Sequence, residues 1–461
     1  MGDLVQFVDS IASSPTVLLN INDETSWWVN SFSAPPPRLR RSVSSNAMRD
    51  GGVVSSSSYD NRVLSIELYL RAANQDTWAT EFQKLARILD GGSSILKYQP
   101  TGASKPVFFK VFRSDVASIL EMLASAAFRV PVIELYAEPF ALGLRETISV
   151  GTVNNDPAAG ANGCYFDVTG VLGDVAAPMV FTDTVNDATL GDCQVVLAVR
   201  QSGTPANLPT FIQAESLTPA TDTSNPGGAA DGAMSGSGTT NYLRTTFATS
   251  SGVDVRATGV LTSTGSALLE LPGAYRAYLT CRRSSAVGSV SVQLIAGAVT
   301  SGIVETGLQT SRQMVDLGLV SFVSDRSTTY PRADVGVLAG RLSGTSTLDL
   351  DCVQFVPAGE AMLIAVGASF DGVDFVADGE QDSLYTVDNA ANLFTGAARA
   401  ADGGLAWAGS VPKLRPGVTN RFVYLKSVPG SAAVTTMTKT TTGTVTIYYN
   451  PCYLYVRPSA T

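Results

Sequence analysis

Across residues 62–143 the spacing of apolar positions changes twice. Arg62–Arg71 alternates: Leu64, Ile66, Leu68 and Leu70 fall on one side, Ser65, Glu67 and Tyr69 on the other. That period of two predicts a strand with one buried face. Beyond Asn74 the period lengthens, and Trp78, Phe82, Leu85 and Leu89 recur at helical spacing with Ile88 beside them. Asn74 or Asp76 supplies a side-chain oxygen for the free first-turn N–H groups. Gly91-Gly92 stops the helix, because glycine tolerates the left-handed residue that ends one. Strand patterns return at 94–100, 105–113 and 128–139, the last closing on Ala137-Glu138-Pro139. Upstream, 15–22 alternates and reads as a strand. The stretch 42–58 is rich in Ser and holds Gly51-Gly52, so it reads as a loop. Residues 114–127 are ambiguous, a short helix through Ile119, Met122 and Leu123 being one reading.

After residue 145 the helical period does not return. Short apolar runs separated by Gly, Ser and Thr predict β-sandwich material. An inner unit, 209–359, opens with Phe211-Ile212-Gln213-Ala214-Glu215-Ser216 and closes with Leu348-Asp349-Leu350-Asp351-Cys352-Val353-Gln354-Phe355-Val356-Pro357. Between them lie a Gly-rich loop at 227–238 and strands at 274–282 and 289–295. The flanking pieces, 146–208 and 360–461, are expected to form one discontinuous sandwich. The stretch 444–456 is strand-like and carries Tyr448, Tyr449, Tyr453 and Tyr455.

Composition narrows the chemistry. The 461 residues contain no histidine, which removes Ser-His-Asp and Cys-His catalysis, imidazole zinc ligation and histidine pH switching together. The net charge of −9 is unevenly spread. Residues 1–145 hold 14 basic and 14 acidic side chains, so the whole excess lies beyond them. No basic stripe of the kind a nucleic-acid surface needs is present. The one basic run, Arg38-Leu39-Arg40-Arg41 after three prolines, reads as a loop making protein contacts. Five dispersed cysteines, without C-x-x-C spacing, imply neither a disulfide framework nor a zinc site and read as small buried β residues. The start MGDLVQFVDS has no basic n-region, and the apolar run at 361–368 is far too short to span a bilayer, so a cytoplasmically made protein without membrane insertion is expected.

The block LSIELYLRAANQDTWATEFQKLARIL, then SSILKYQPTGASKPVFFKVFR, then FRVPVIELYAEPFALG resembles the N-terminal domain of siphophage distal tail proteins. Leu414-Arg415-Pro416-Gly417-Val418-Thr419-Asn420 and Val445-Thr446-Ile447-Tyr448-Tyr449-Asn450-Pro451 resemble the turn and final strand of that family's galectin-like second domain. The resemblance implies a mainly β protein: an N-terminal split-barrel-like sheet with one packed helix (1–145), a galectin-like sandwich (146–208 with 360–461) and an inserted jelly-roll sandwich (209–359). It further implies a homo-oligomer, a hexameric ring, joining the tail tube protein to the baseplate hub and tail tip proteins in the virion tail. The inner unit resembles carbohydrate-binding β-sandwich modules through Gln213-Ala214-Glu215, Leu271-Pro272-Gly273-Ala274-Tyr275-Arg276-Ala277-Tyr278 and Leu350-Asp351-Cys352-Val353-Gln354-Phe355-Val356-Pro357. That second resemblance implies a structural calcium on Gln213, Glu215 and Asp351, although Gln213 stands where the family has an acid. The alternative is ordinary polar residues at strand ends.

Host-surface glycan contact would need aromatic platforms, and Tyr242, Tyr275 and Tyr278 are the inner unit's candidates; buried or strand-surface rings are the plainer reading. The acidic run at 371–382 lacks the register of a calcium-binding helix–loop–helix and reads as a solvated turn. Gly236-Ser237-Gly238 is followed by no Gly-Lys-Ser/Thr, which argues against phosphate binding. Glu67 with Glu134, or Asp349 with Asp351, are the carboxylate pairs available for acid/base work, and nothing places either in a cleft. The expected function is therefore a non-enzymatic virion structural protein. Two other classes stay open: a soluble glycan-binding sandwich protein outside any tail, and a β-rich carboxylate enzyme.

Overall fold

The computed structural model is described at residues 2–45, 52–92, 94–121, 128–154, 165–185, 193–202, 211–214, 217–219, 223–224, 242–247, 254–260, 273–285, 287–296, 299–300, 308, 310, 313–322, 334–345, 347–358, 361–366, 374–387, 393–394, 405–427, 435–436 and 442–456. It is mainly β with one helix among those residues, and it divides into two units. The first comprises Met1–Glu146, Leu172–Ala177 and Tyr449–Thr461; the second comprises Thr147–Val171 and Pro178–Tyr448.

The first unit is built on one sheet. Its strands run in the order Val17–Asn20, Leu4–Val8, Ser94–Gln99, Val107–Glu121, Phe128–Ala137, Arg62–Arg71, Trp27–Ser33. Leu64, Ile66, Leu68 and Leu70 are all at 0% exposure, so the alternation in Arg62–Arg71 does set its buried face. Trp27, Phe7, Phe109, Ile133 and Leu135 complete the core. The helix Gln75–Asp90 starts where Asn74 Oδ1 accepts from Thr77 N at 2.8 Å. It ends before Gly92, which is left-handed at φ +78°. Leu85 is buried, while Trp78 and Phe82 stack on each other (5.1 Å, 10°) and pack against the core.

One expectation for this unit fails and one ambiguity is resolved. The described part of 42–58 is strand: Leu39–Ser45 and Gly52–Tyr59 pair as a two-stranded ribbon, and the basic run enters its first strand. Serine forms ladders through its backbone as any residue does, so composition concealed the strand. The described part of 114–127 is strand, because Val107–Glu121 follows Phe128–Ala137 in register to Glu121↔Arg129.

The sheet is closed by residues remote in sequence. Cys452–Tyr453 pairs with Ala141–Leu142, Gly143 N donates to Pro451 O (2.8 Å), and Asn450 Nδ2 donates to Gly143 O (2.9 Å). Gly173, at φ +118°, lies against this strand, and a Cβ there would meet Cys452 O at 2.9 Å. Arg62, 2% exposed, donates through Nε to Pro139 O (2.7 Å) and through Nη2 to Leu454 O (3.2 Å). Burial pushes its guanidinium down to about 10.

The second unit holds four larger sheets. One sheet orders Glu146–Asn154, Thr442–Tyr449, Ala177–Val185, Asp374–Asp378 and Ser383–Val387, with Lys413–Leu414 on Ala177–Val185. Another orders Tyr165–Val168, Thr419–Ser427, Cys193–Ser202, Ala361–Val366 and Leu405–Gly409. These two strand sets come from the flanking pieces. The inner stretch supplies Thr223–Ser224, Leu243–Thr245, Leu348–Pro357, Gly273–Arg283 and Gln313–Phe322 to a third sheet, and Asp254–Val260, Asp334–Gly344 and Gly288–Ala296 to a fourth. Leu279, Val292, Leu317, Val337, Leu350 and Phe355 lie in the core of these inner strands. The Leu414–Asn420 turn is fixed by buried Asn420, which accepts from Arg415 N (2.9 Å), donates to Arg415 O (3.0 Å) and follows left-handed Gly417.

Val196–Val199 within Cys193–Ser202 and Phe422–Leu425 within Thr419–Ser427 are buried on both faces. Phe422 stacks on Phe166 (5.2 Å) and Tyr424 meets Phe181 (5.2 Å) on one side. On the other, Val196, Ala198, Val423 and Leu425 share a core with Tyr278 and Val356 of the inner strands. Thr435–Thr436, from the flanking sequence, also pairs with Gln313–Phe322. Such strands read as unbroken apolar runs, as Val195–Val199 and Phe422–Leu425 do.

The acidic run at 371–382 is also corrected over its described part. All five residues of Asp374–Asp378 are buried in a strand, and only the turn after it reaches solvent. Asp378 accepts from Glu380 N (2.9 Å), Gln381 N (3.1 Å) and the Tyr385 hydroxyl (3.3 Å). The apolar trio Phe375-Val376-Ala377 decides the placement, and hydrogen bonds accommodate the flanking acid. The Gly-rich stretch 227–238, with Gly236-Ser237-Gly238, lies outside the described residues.

Candidate functional site

The carboxylates singled out in the sequence separate. Glu67 and Glu134 stand on the outer face of the first-unit sheet, on neighbouring strands: Ser65 pairs with Glu134, and Glu67 pairs with Val132. Asp115 lies directly across from Glu134 on the next strand. This is a surface, not a cleft.

Asp349 and Asp351 lie two apart on Leu348–Pro357 and are buried, at 0% and 2% exposure. Asp349 is held by two guanidiniums. Arg244 Nε reaches Oδ1 at 2.6 Å and its Nη2 reaches Oδ2 at 2.8 Å, while Arg282 Nε reaches Oδ2 at 3.0 Å. The strand register places them: Arg244↔Asp349 on one side and Arg282↔Asp349 on the other. Tyr242 lies under both, 5.2 Å from the Arg244 guanidinium and 5.9 Å from that of Arg282. A carboxylate locked in a bidentate pair is an acceptor with no role as a proton donor. The cluster therefore pins three strands together.

Tyr242, Tyr275 and Tyr278 are 3%, 4% and 4% exposed, so none presents a ring face to solvent. Burial drives the Tyr278 hydroxyl well above the ordinary tyrosine range, with the Asp316 charge adding to it. For the calcium set, Gln213 pairs with Cys352, one position from Asp351, and Glu215 lies outside the described residues. Calcium takes roughly six to eight oxygens. Among the described residues no three His, Cys, Asp or Glu side chains converge. The described donors thus fall short of a calcium site, and no role for the ion follows from them. Cys281, Cys352 and Cys452 are buried thiols.

One cavity of about 420 Å³ opens at the edge of the first-unit sheet, its polar lining supplied by Asp3, Asn20, Asn22, Asp23, Glu24 and Thr101. Sequence reading passed over it because its residues come from three separate turns. Asp3 accepts from Thr101 N (2.8 Å) and the Tyr98 hydroxyl (2.8 Å), and these bonds, the backbone one foremost, hold its carboxyl below the usual range. Burial, helped by Asp3, pushes Tyr98 up to about 12. Burial works against Asp23, yet N–H groups of Trp27, Thr25 and Ser26 still hold it low. Both acids are occupied in ordering turns, which is structural work. Asp183, fully buried in the second unit, likewise takes the Tyr424 hydroxyl.

Among the described residues no helix is long and apolar enough to cross a membrane. No known family and no curated protein matches the sequence. Among solved structures, the chain is similar to the SPP1 Dit protein (gp 19.1), described as a hub of the adsorption apparatus of phages that infect Gram-positive hosts. The two are 8% identical with a TM-score of 0.30, over 98% of this chain and 99% of that one. It is similar also to chains of the phage p2 baseplate in its activated conformation with strontium and with calcium. Each is 8% identical with a TM-score of 0.25, over 76% of this chain and 97% and 98% of theirs.

Proposed function

We propose that the chain is a structural subunit of a phage tail tip, whose first unit assembles copies into a ring between the tail tube and the baseplate. The observation that carries this is the element order of the first unit. Strand Arg62–Arg71, helix Gln75–Asp90, strands Ser94–Gln99 and Val107–Glu121 and closing strand Phe128–Ala137 fall on the residues whose sequence resembles the distal-tail N-terminal domain. The unit's balanced charge suits packing against itself, and the acidic remainder suits solvent. The ring is hexameric on this reading, and the division at about 208 and 360 sets an inner sandwich within a galectin-like one. Host-surface glycan contact has no open aromatic face among Tyr242, Tyr275 and Tyr278 to carry it. Light scattering with negative-stain imaging of the full chain tests the reading: rings of about six copies are expected, and a strict monomer at high concentration would overturn it.

A further inference from the structure

We propose that the Leu39–Ser45/Gly52–Tyr59 ribbon of one copy docks, through Arg38, Arg40 and Arg41, on the acidic outer face of the first-unit sheet of a second copy, where Glu67 and Glu134 stand. The proposal rests on the ring reading and adds the surfaces that would make it.

The ribbon is the first observation. Residues 38–42 are all exposed, so both faces of the entering strand meet solvent. Leu39–Ser45 pairs only with Gly52–Tyr59 among the described strands, in a sheet of two. A two-stranded ribbon alone is marginally stable in water. This one carries three guanidiniums in four residues, with Arg40 held to Asp60 at its base (2.5 Å) and Leu39 37% exposed.

The sheet face is the second. Glu134 stands opposite Asp115 across one strand pair, and Glu67 is one step along the neighbouring strand. Like charges directly across a ladder destabilise it. Arg113 answers Asp115 (3.0 Å) and stacks on Tyr136 (5.2 Å), while Ser31 donates to Glu67 at 3.5 Å. Glu67 and Glu134 are thereby left facing outward beside half-buried Tyr69, Val132 and Tyr136 and exposed Val63. A partly apolar face with two carboxylates fits a ribbon bearing arginines and a leucine. The occupant is a second copy because each copy carries both halves of a complementary contact, the arginines at 38, 40 and 41 of the ribbon and the carboxylates of Glu67 and Glu134 on the sheet face. One surface meeting the other, copy after copy, is a head-to-tail contact, the kind that makes a ring where its rotation closes.

The experiment uses the full chain and charge exchange. One variant carries Arg40→Glu and Arg41→Glu, a second Glu67→Lys and Glu134→Lys, and a third all four. Sedimentation at low salt is expected to show each two-site variant self-associating on the order of 100-fold more weakly than the parent. The four-site variant, and an equimolar mixture of the two-site variants, should regain assembly, because each ribbon again meets the opposite sign. Melting curves establish that the variants remain folded. Rings that ignore these substitutions, or a loss that neither mixing nor the four-site variant restores, overturn the docking and leave the ring reading standing. A parent that stays monomeric at low salt overturns both.

Discussion

Replacing Asp349 with alanine is expected to cost the second unit about 3–5 kcal/mol. The carboxylate is fully buried and accepts three charged hydrogen bonds, two from Arg244 and one from Arg282. At about 1.5–3 kcal/mol each, the gross loss is larger. The Arg244 and Arg282 side chains are 33% and 17% exposed, however, so water recovers part of it. What remains is two guanidiniums beside Tyr242 without the charge that joined them. Replacing the whole cluster (Arg244→Met, Asp349→Leu, Arg282→Met) should leave stability within about 2 kcal/mol of the parent, since the desolvation cost goes with the charges. Hydrogen exchange reads both results in the intact chain: amides of Leu348–Pro357 report the damage, and those of Arg62–Arg71 serve as the internal control. At about 1.4 kcal/mol per tenfold, protection of the inner strand should fall by about 10²–10³ or slightly more in Asp349→Ala. A fall of less than tenfold would refute the staple, as would a triple variant as damaged as the single one.

Arg62→Ala should destabilise the first unit by about 2–5 kcal/mol, because the Pro139 and Leu454 carbonyls lose their buried donor. Urea unfolding in a Trp407→Phe background, where Trp27, Trp28 and Trp78 report that unit, would count against the idea at under about 1 kcal/mol. Asp3, with its carboxyl lowered, contributes stability above the ordinary carboxylate range and loses it as pH falls through the folded value. Tyr98, raised to about 12, contributes below about pH 10 and loses it as pH climbs toward 12, so Asp3→Asn should flatten the acid limb and Tyr98→Phe the alkaline limb of a stability–pH curve. Gly344→Ala should cost about 2–5 kcal/mol by thermal unfolding, since φ is +70° and the new Cβ would lie 2.4 Å from the Gly288 Cα.

The parts of the fold legible in the sequence are those where local period and local chemistry agree. Leu64 to Leu70 alternate because a core lies on one side only, and the helix ends are marked by the side-chain oxygen of Asn74 and the left-handed backbone of Gly92. The serine-rich ribbon was concealed because its pairing is made by backbone groups that composition does not report. Asp374–Asp378 was concealed because Asp378 is satisfied by turn N–H groups and a tyrosine that only the folded turn supplies. Asp349 could not be sorted from a catalytic acid without the register that brings Arg244 and Arg282 beside it. Tyr242, a candidate platform for which a buried ring is the plainer reading, is covered by those same arginines.

The pairing of Asn450 with Gly143 spans 307 positions. At a ribosomal pace of ~5–20 residues per second, Gly143 waits roughly 15–60 s for its partner, far longer than an ordinary small domain needs to fold. During that interval the carbonyl of Gly143, the edge at Ala141–Leu142 and the Arg62 guanidinium lack the groups that later cover them. A chain broken off anywhere within the second unit never supplies them. A finished first unit is thus conditional on synthesis having passed Leu454, whatever the state of the strands made in between.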